Sequence, residues 1–373
     1  MVVIHDGYFT DVEGCIKENW FQIDSLLAKQ ILCRFSLPFN KLAIFTLYNN
    51  CVHLSAICIL INLFHIYILT RKALRTTSPI YILLTAIAMI DIVSLSYDIH
   101  TEIVEVYKVF KVCYSKETDY TIILLNNIME FIRNYSRRCS TWLSFSIALI
   151  RTLIVKYPLN PKLEILSKPK IAFYIIPTIL ILSAPIHFMD IYKYQIVFYD
   201  ENFKCTQFPS YTTLYYGSIL SDYYEQDDVW LWKLNRTIDA VISKFIPCIL
   251  FPIVTYLLVI EIRLADERRK KLNQSSIAEK DSKNTTKLVL FLTLPFFLGE
   301  LPIGLILLTK PIDKLREAIG FSLFTEGIEK FFSVVLSATT ATHMIVCVFM
   351  SSQYRESALS FIRCGVKFKS QNS

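Results

Sequence analysis

Residues 42–70 read LAIFTLYNNCVHLSAICILINLFHIYILT, with no Asp, Glu, Lys or Arg among them. A helix needs about 20 apolar residues to cross the hydrocarbon core of a bilayer, so this run is long enough to span one. Directly after it comes RKALRTTS, residues 71–78, carrying Arg71, Lys72 and Arg75. An apolar run closed by a basic loop predicts a span and the side on which it ends. The pattern recurs along the chain. Further spans are expected over about 78–97, 124–157, 171–191, 236–262, 288–309 and 324–350, giving seven.

Composition agrees. Apolar and aromatic residues make up 53% of the 373, charged residues 19%, and mean hydropathy is +0.42. A soluble domain carries about 25% charged residues, so a soluble enzyme or a disordered chain is excluded. The basic loops all fall on one side. After span 3 come Lys156, Lys162, Lys168 and Lys170. After span 5, residues 263–287 hold eight Lys/Arg against four Asp/Glu. The tail holds Arg355, Arg363, Lys367 and Lys369. The positive-inside rule makes this side cytoplasmic and puts the N-terminus outside. No basic stretch followed by an apolar core opens the chain, so no cleaved signal peptide is expected. The net charge of +7 is this loop bias. It forms no basic domain, so no nucleic-acid partner is expected.

The other side differs. Residues 190–232 hold seven acids against Lys193 and Lys204, with thirteen aromatics interleaved. Two readings stay open: a vestibule favouring basic ligands, or a solvated loop with an interfacial aromatic belt. Cys15, Cys33, Cys113 and Cys205 are on this oxidising side and allow three pairings. Cys113 lies just before span 3 and Cys205 midway along the long loop, so these two are the first expected pair and Cys15–Cys33 the second. Asn235 heads a sequon too close to span 5 for ready glycosylation. Cys364 ends the amphipathic stretch SSQYRESALSFIRC, where a palmitoyl group or a plain buried thiol fits.

Charges inside a span are costly and mark candidate sites. Asn62 in span 1 and Asp91 in span 2 form a possible buried polar pair. In span 3, Arg133 and Arg151 are five helical turns apart, about 27 Å along one face. Glu130 and Arg137 share that stripe. Two readings again stand: Glu130 pairs with Arg133 structurally, or the stripe lines a ligand pocket with Glu300 as partner for Arg137. Lys244 in span 5 and Glu326, Glu329 and Lys330 at the start of span 7 add charge to the same half. The ligand-pocket candidates are thus Glu130, Arg133, Arg137, Lys244, Glu300, Glu326 and Glu329. No metal-ligand spacing, phosphate loop or nucleophile motif occurs. Neither an enzyme, a metal nor a cofactor is expected. The absence of inverted repeats argues against a transporter.

Several phrases resemble a rhodopsin-like G-protein-coupled receptor: Asn62 in INLFHIYIL, Asp91 in AIAMID, Arg151 in ALIRTLIVKYP, and Phe296 six residues before Pro302. The closest resemblance is to the nematode serpentine receptors of class W (Srw), similar to FMRFamide-type peptide receptors. It rests on LTRKALRTTS, LIRTLIVKYPLNP with LSKPK, TTKLVLF with GELPIG, and ATHMIVCVFMSSQYR, in order between residues 50 and 356. The resemblance implies a plasma-membrane receptor for an extracellular peptide or small-molecule ligand, coupled to a heterotrimeric G protein. It implies coupling or activation roles for Arg151, Asp91, Asn62, Pro302, Phe296 and Tyr354. Three positions depart from the wider family. Ile150 replaces the acid before the arginine, Glu300 replaces the span 6 Trp, and Thr342-His343-Met344-Ile345-Val346 replaces Asn-Pro-x-x-Tyr. The expected fold is an all-α membrane protein, a seven-transmembrane helix bundle with a short amphipathic cytoplasmic helix after span 7. Residues 1–41 would be an extracellular segment, 42–354 the receptor domain and 351–373 the cytoplasmic helix and tail.

Overall fold

The apolar run at 42–70 continues a helix rather than starting one. In the computed structural model, which describes residues 12–75, 78–110, 115–157, 160–198, 216–271, 297–309 and 318–362, the chain opens with α1 (Val12–Lys17) and α2 (Leu26–Asn40). α2 runs straight into a π-helical segment, Lys41–Tyr48. The boundary expected between 41 and 42 falls inside this continuous helix. Two asparagines end it. Asn50 Nδ2 donates to the carbonyls of Phe45 and Thr46, at 3.3 and 3.1 Å, taking acceptors from the helical ladder. A new helix, α3 (Cys51–Leu69), then crosses the bundle.

The other spans follow in order: α4 (Pro79–Phe110), α5 (Lys116–Lys156) and α6 (Ala172–Ile191). α4 runs well past the expected end at 97. α5 begins eight residues before the expected 124, and Ser115 caps it by accepting from Thr118 N at 3.2 Å. The loop after α6 is not loop throughout. Strands β1 (Tyr194–Phe198) and β2 (Tyr216–Leu220) pair antiparallel, Tyr194 opposite Leu220 and Phe198 opposite Tyr216. A β-hairpin therefore interrupts the all-α expectation. The acidic residues after it form α7 (Asp222–Asp239). A second π-helical segment, Ala240–Phe245, joins α7 to α8 (Ile246–Lys271). The sixth expected run is described only from Phe297, as α9 (Phe297–Thr309). Span 7 is α10 (Ile319–Thr339) and α11 (Thr342–Met350), followed by α12 (Ser352–Ile362).

Among the described residues, six helices are long and apolar enough to cross a membrane, and α9 is a shorter apolar helix. Large apolar side chains are exposed around the rim, among them Leu60, Leu63, Ile181, Leu182, Tyr256 and Phe349. This is the surface a bilayer covers. Inside, small residues set the approach of helices, as in membrane packing generally. A Cβ on Gly304 would lie 2.8 Å from Lys244 Cβ, so its absence brings α9 against the second π segment.

The N-terminal segment is part of the bundle. Cys15 and Cys33 form a disulfide. Around it Trp20, Phe21 and Leu37 pack on Leu323 of α10. Gly320 N donates to Trp20 O at 2.8 Å. A Cβ on Gly320 would sit 2.8 Å from the Phe21 ring, and one on Gly327 would collide with the Asn40 side chain. At the opposite end, α12 lies back on α3. Tyr354 is fully buried and its hydroxyl bonds His65 Nδ1 at 2.7 Å. Phe361 packs on Phe64 and Tyr67. α12 is thus amphipathic, with Tyr354 and Ala358 inward.

Candidate functional site: a cationic cavity and a buried arginine

The bundle has two distinguishable ends: the hairpin end, with α2, β1, β2 and α7, and the Arg151 end. At the hairpin end α4, α5, the two π segments, α9 and α10 enclose a cavity of about 460 Å³. Seven cations line it: Lys108, Arg133, Arg137, Arg138, Arg236, Lys244 and Lys330. Four carboxylates line it too: Glu105, Glu130, Asp239 and Glu329. A neighbouring cavity of about 300 Å³ shares Glu130, Asn134, Arg236 and Asp239, and adds Asp190, Lys193 and Tyr194.

The cations are held in different ways. Arg138 is ion-paired to Asp239, which also accepts from Ser243 Oγ at 2.6 Å. Lys244 is ion-paired to Glu300 of α9, tying span 5 to span 6. Lys108 pairs with Glu105 at 3.1 Å. Lys330 lies 4.0 Å over the Tyr48 ring. Arg133 is 4.0 Å from Asp98, which accepts from Ser55 Oγ at 2.5 Å. Its guanidinium also lies 4.7 Å over the Tyr97 ring. The structural pairing of Glu130 with Arg133 is therefore replaced by Asp98 with Arg133. The partnership of Arg137 with Glu300 is not formed either, because Lys244 holds Glu300. Arg137 bonds instead to Ser333 Oγ (3.1 Å), Ser333 O (3.5 Å) and Ser337 Oγ (3.3 Å).

The second cavity is closed by α7. Asp190 Oδ1 accepts from Asn235 Nδ2 at 2.9 Å, and Asp190 Oδ2 is 2.9 Å from His187 Nδ1. Asn235 is only 3% exposed. Its sequon nitrogen is committed to Asp190, which leaves no room for a glycan. Lys193, just beyond the span, is 5% exposed and lies 4.3 Å over the Tyr194 ring. Burial pushes its ammonium down to about 8, with Arg236 adding to the shift. The hairpin is pinned to α5: Tyr216 N donates to Asp119 Oδ2 at 2.8 Å, and Asn127 bonds Ser218. Glu326 and Glu329 also line a side opening between α7, α9 and α10, with Trp232, Phe321 and Lys330.

Deeper in the bundle lies a small polar cavity of about 60 Å³, lined by Asp91, Ser94, Arg137, Ser140, Glu300 and His343 among others. Asp91 accepts from Ser140 Oγ at 2.7 Å. Asn62 does not pair with Asp91; it donates to Cys58 O at 3.0 Å and reaches Thr340 Oγ1 at 3.5 Å. Thr340 sits in the break between α10 and α11. At the far end of α5, Arg151 Nε is buried with no hydrogen-bond partner among the described residues. Nearby Tyr81 bonds Ser351 Oγ at 3.0 Å, just before Tyr354. Pro302 lies within α9. Phe296, Cys113, Cys205 and Cys364 lie outside the described residues.

Asp98, Asp239, Tyr48, Tyr97 and Ser333 were not legible as site residues. Asp98 had a signal, since it stands seven residues after Asp91 and so on the same helical face. The expected span ended one residue short of it.

Comparison with known proteins matches residues 48–365 to the model of a family described as serpentine type 7TM GPCR chemoreceptor Srw. The chain is also 24% identical over 233 residues to the G-protein coupled receptor dmsr-1 of Caenorhabditis elegans. That alignment covers 61% of this chain and 44% of the relative, so it spans less than half of that protein's length.

Proposed function

Because this chain belongs to the Srw family of serpentine seven-transmembrane G-protein-coupled receptors, we propose that it binds an extracellular neuropeptide of the FMRFamide-like type and activates a heterotrimeric G protein. The N-terminus and hairpin end face outward at the plasma membrane, and α12 and the tail face the cytoplasm. One observation carries the reading. α5 runs unbroken from a wide charged cavity at one end to Arg151 at the other, whose Nε is buried with no hydrogen-bond partner among the described residues. A ligand in the cavity touches the helix whose last turns would meet the G protein.

The arrangement suits a two-state switch, in which the ligand shifts the equilibrium by its differential affinity. α9 carries Pro302 and is held to span 5 by the Glu300–Lys244 pair. A ligand group that competes for Lys244 frees α9 to swing. Opening at the other end exposes Arg151. Arg151→Ala should therefore abolish nucleotide exchange driven by an active peptide from an amidated-peptide panel, while surface expression persists. Undiminished exchange would overturn the assignment.

The family description names chemoreceptors, and this favours a second reading, an environmental small molecule as ligand. A response to small soluble odorants, with silence across the peptide panel, would select it. Substrate uptake or current in cells lacking G proteins would point to a transporter or channel instead.

A further inference from the structure

Arg133 and Arg137 stand one helical turn apart and converge on a single oxygen. Ser333 Oγ accepts from Arg133 Nη2 at 2.5 Å and from Arg137 Nη1 at 3.1 Å. Two like charges are thereby focused on one neutral hydroxyl in a low-dielectric bundle, where Coulomb repulsion is weakly screened. The neighbouring cations are compensated: Arg138 by Asp239, Lys244 by Glu300, and Arg133 by Asp98. Arg137 has only hydroxyl and carbonyl oxygens as partners, and no carboxylate within 4.0 Å among the described residues. Arg137 is half-buried, and a charge withdrawn from water is normally paired because leaving it unpaired is costly. The missing counter-charge is next to a cavity of about 460 Å³ that is open to a ligand.

We propose that the ligand presents a carboxylate to Arg137 and Arg133, completing the charge balance of the cavity. A planar carboxylate accepts two parallel N–H bonds from a guanidinium fork, which a hydroxyl cannot do. The Tyr48 and Tyr97 rings flank the place and would receive an apolar or aromatic group beside the acid. The carboxylate comes either from a small organic acid or from an acidic side chain of a peptide. The inference rests on the cavity being the ligand site, but not on G-protein coupling.

The test uses the full-length receptor in detergent and reads melting temperature. The small-molecule probe is 3-phenylpropionate, compared with 3-phenylpropionamide and with sodium chloride at equal ionic strength. The peptide arm uses C-terminally amidated hexapeptides that differ only in one internal side chain, the acid Glu or its amide Gln. Binding to the folded state raises the Tm by an amount that grows with the logarithm of 1 + [L]/Kd. We expect a concentration-dependent rise of a few degrees with the carboxylate probes and none with their carboxamide counterparts or chloride. A rise confined to 3-phenylpropionate assigns a small acid, and a rise with the Glu peptide assigns a peptide. Arg137→Gln should abolish the rise, and Arg137→Lys should keep only part of it. Without ligand, Arg137→Gln should match or exceed the wild-type Tm, because it removes an uncompensated charge. Arg138→Gln should lower the Tm by stranding Asp239. Equal stabilisation by acid and amide, equal stabilisation by chloride, a rise that survives Arg137→Gln, or collapse of unliganded Arg137→Gln would each overturn the proposal. Arg151→Ala should retain the acid-dependent rise. Loss of coupling and loss of the carboxylate site are therefore read separately.

Discussion

Among single residues, Lys193 gives the clearest test of buried charge. It lies outside the spans, and its ammonium titrates near 8 because burial disfavours the charged form. Arg236 lowers it further, while Glu130, Asp190 and Glu329 oppose the shift. The unfolded chain binds the proton up to about 10.5, so between about 8 and 10.5 it holds more protons than the folded state. Lys193 therefore makes stability rise with pH across that window and weakens the fold below it. Lys193→Met should melt above wild type at pH 7, and its advantage should shrink by pH 9.5, as followed by Tm against pH. A pH-independent difference would mean that Lys193 acts by packing alone. At this scale the sequence was partly legible. Every charge named from the span pattern does line or approach a cavity, apart from Arg151 at the other end. The partners were not legible, because pairing depends on rotamers and helix rotation. Glu130 is in helical register with Arg133, yet Asp98 from the next helix takes the contact.

Among elements, the departures have a common cause: polar or aromatic stretches that read as loop were secondary structure. α7 holds Asp222, Glu225, Asp227 and Asp228, which looked like a solvated acidic loop. Ser221 followed by acids in the first turn is a helix-start signature, and tertiary contact supplies the rest. Tyr224 OH donates to Met189 O at 2.6 Å. The hairpin strands are five residues each, too short to show a period. The two π segments lie where span 1 and span 5 enter the bundle, and π turns cluster at functional positions. One carries Tyr48 and the other Lys244, both cavity residues. Docking of α2 on α10 depends on Gly327, where any side chain meets Asn40. Gly327→Leu should cost about 1–3 kcal/mol, as overpacking does. It should make the N-terminal segment sensitive to limited proteolysis before the spans are cut. Unchanged protection would show that the Trp20–Phe21–Leu323 cluster suffices by itself.

For the whole molecule, the Srw resemblance and the helical membrane bundle both stand, with six membrane-length apolar helices and the shorter α9 among the described residues, because both rest on long apolar runs and ordered phrases. What they could not show was that residues 12–40 pack on span 7. The N-terminal segment closes on span 7 through Trp20, Phe21, Leu37 and Asn40. This has a consequence for biosynthesis. The ribosome makes residues 12–40 well before α10, whose surface covers Phe21. The earlier segment therefore finishes folding only after the later helix is in place. Meanwhile the Cys15–Cys33 bridge limits it to a closed loop. A nascent chain stopped at Thr309 should present Trp20 and Phe21 to chaperones. One extended through Thr339 should release them, as read by crosslinking to arrested chains of each length. Equal crosslinking at both lengths would mean that the N-terminal segment folds without waiting for its partner. If it does wait, its closure is a built-in signal that the seventh helix has arrived.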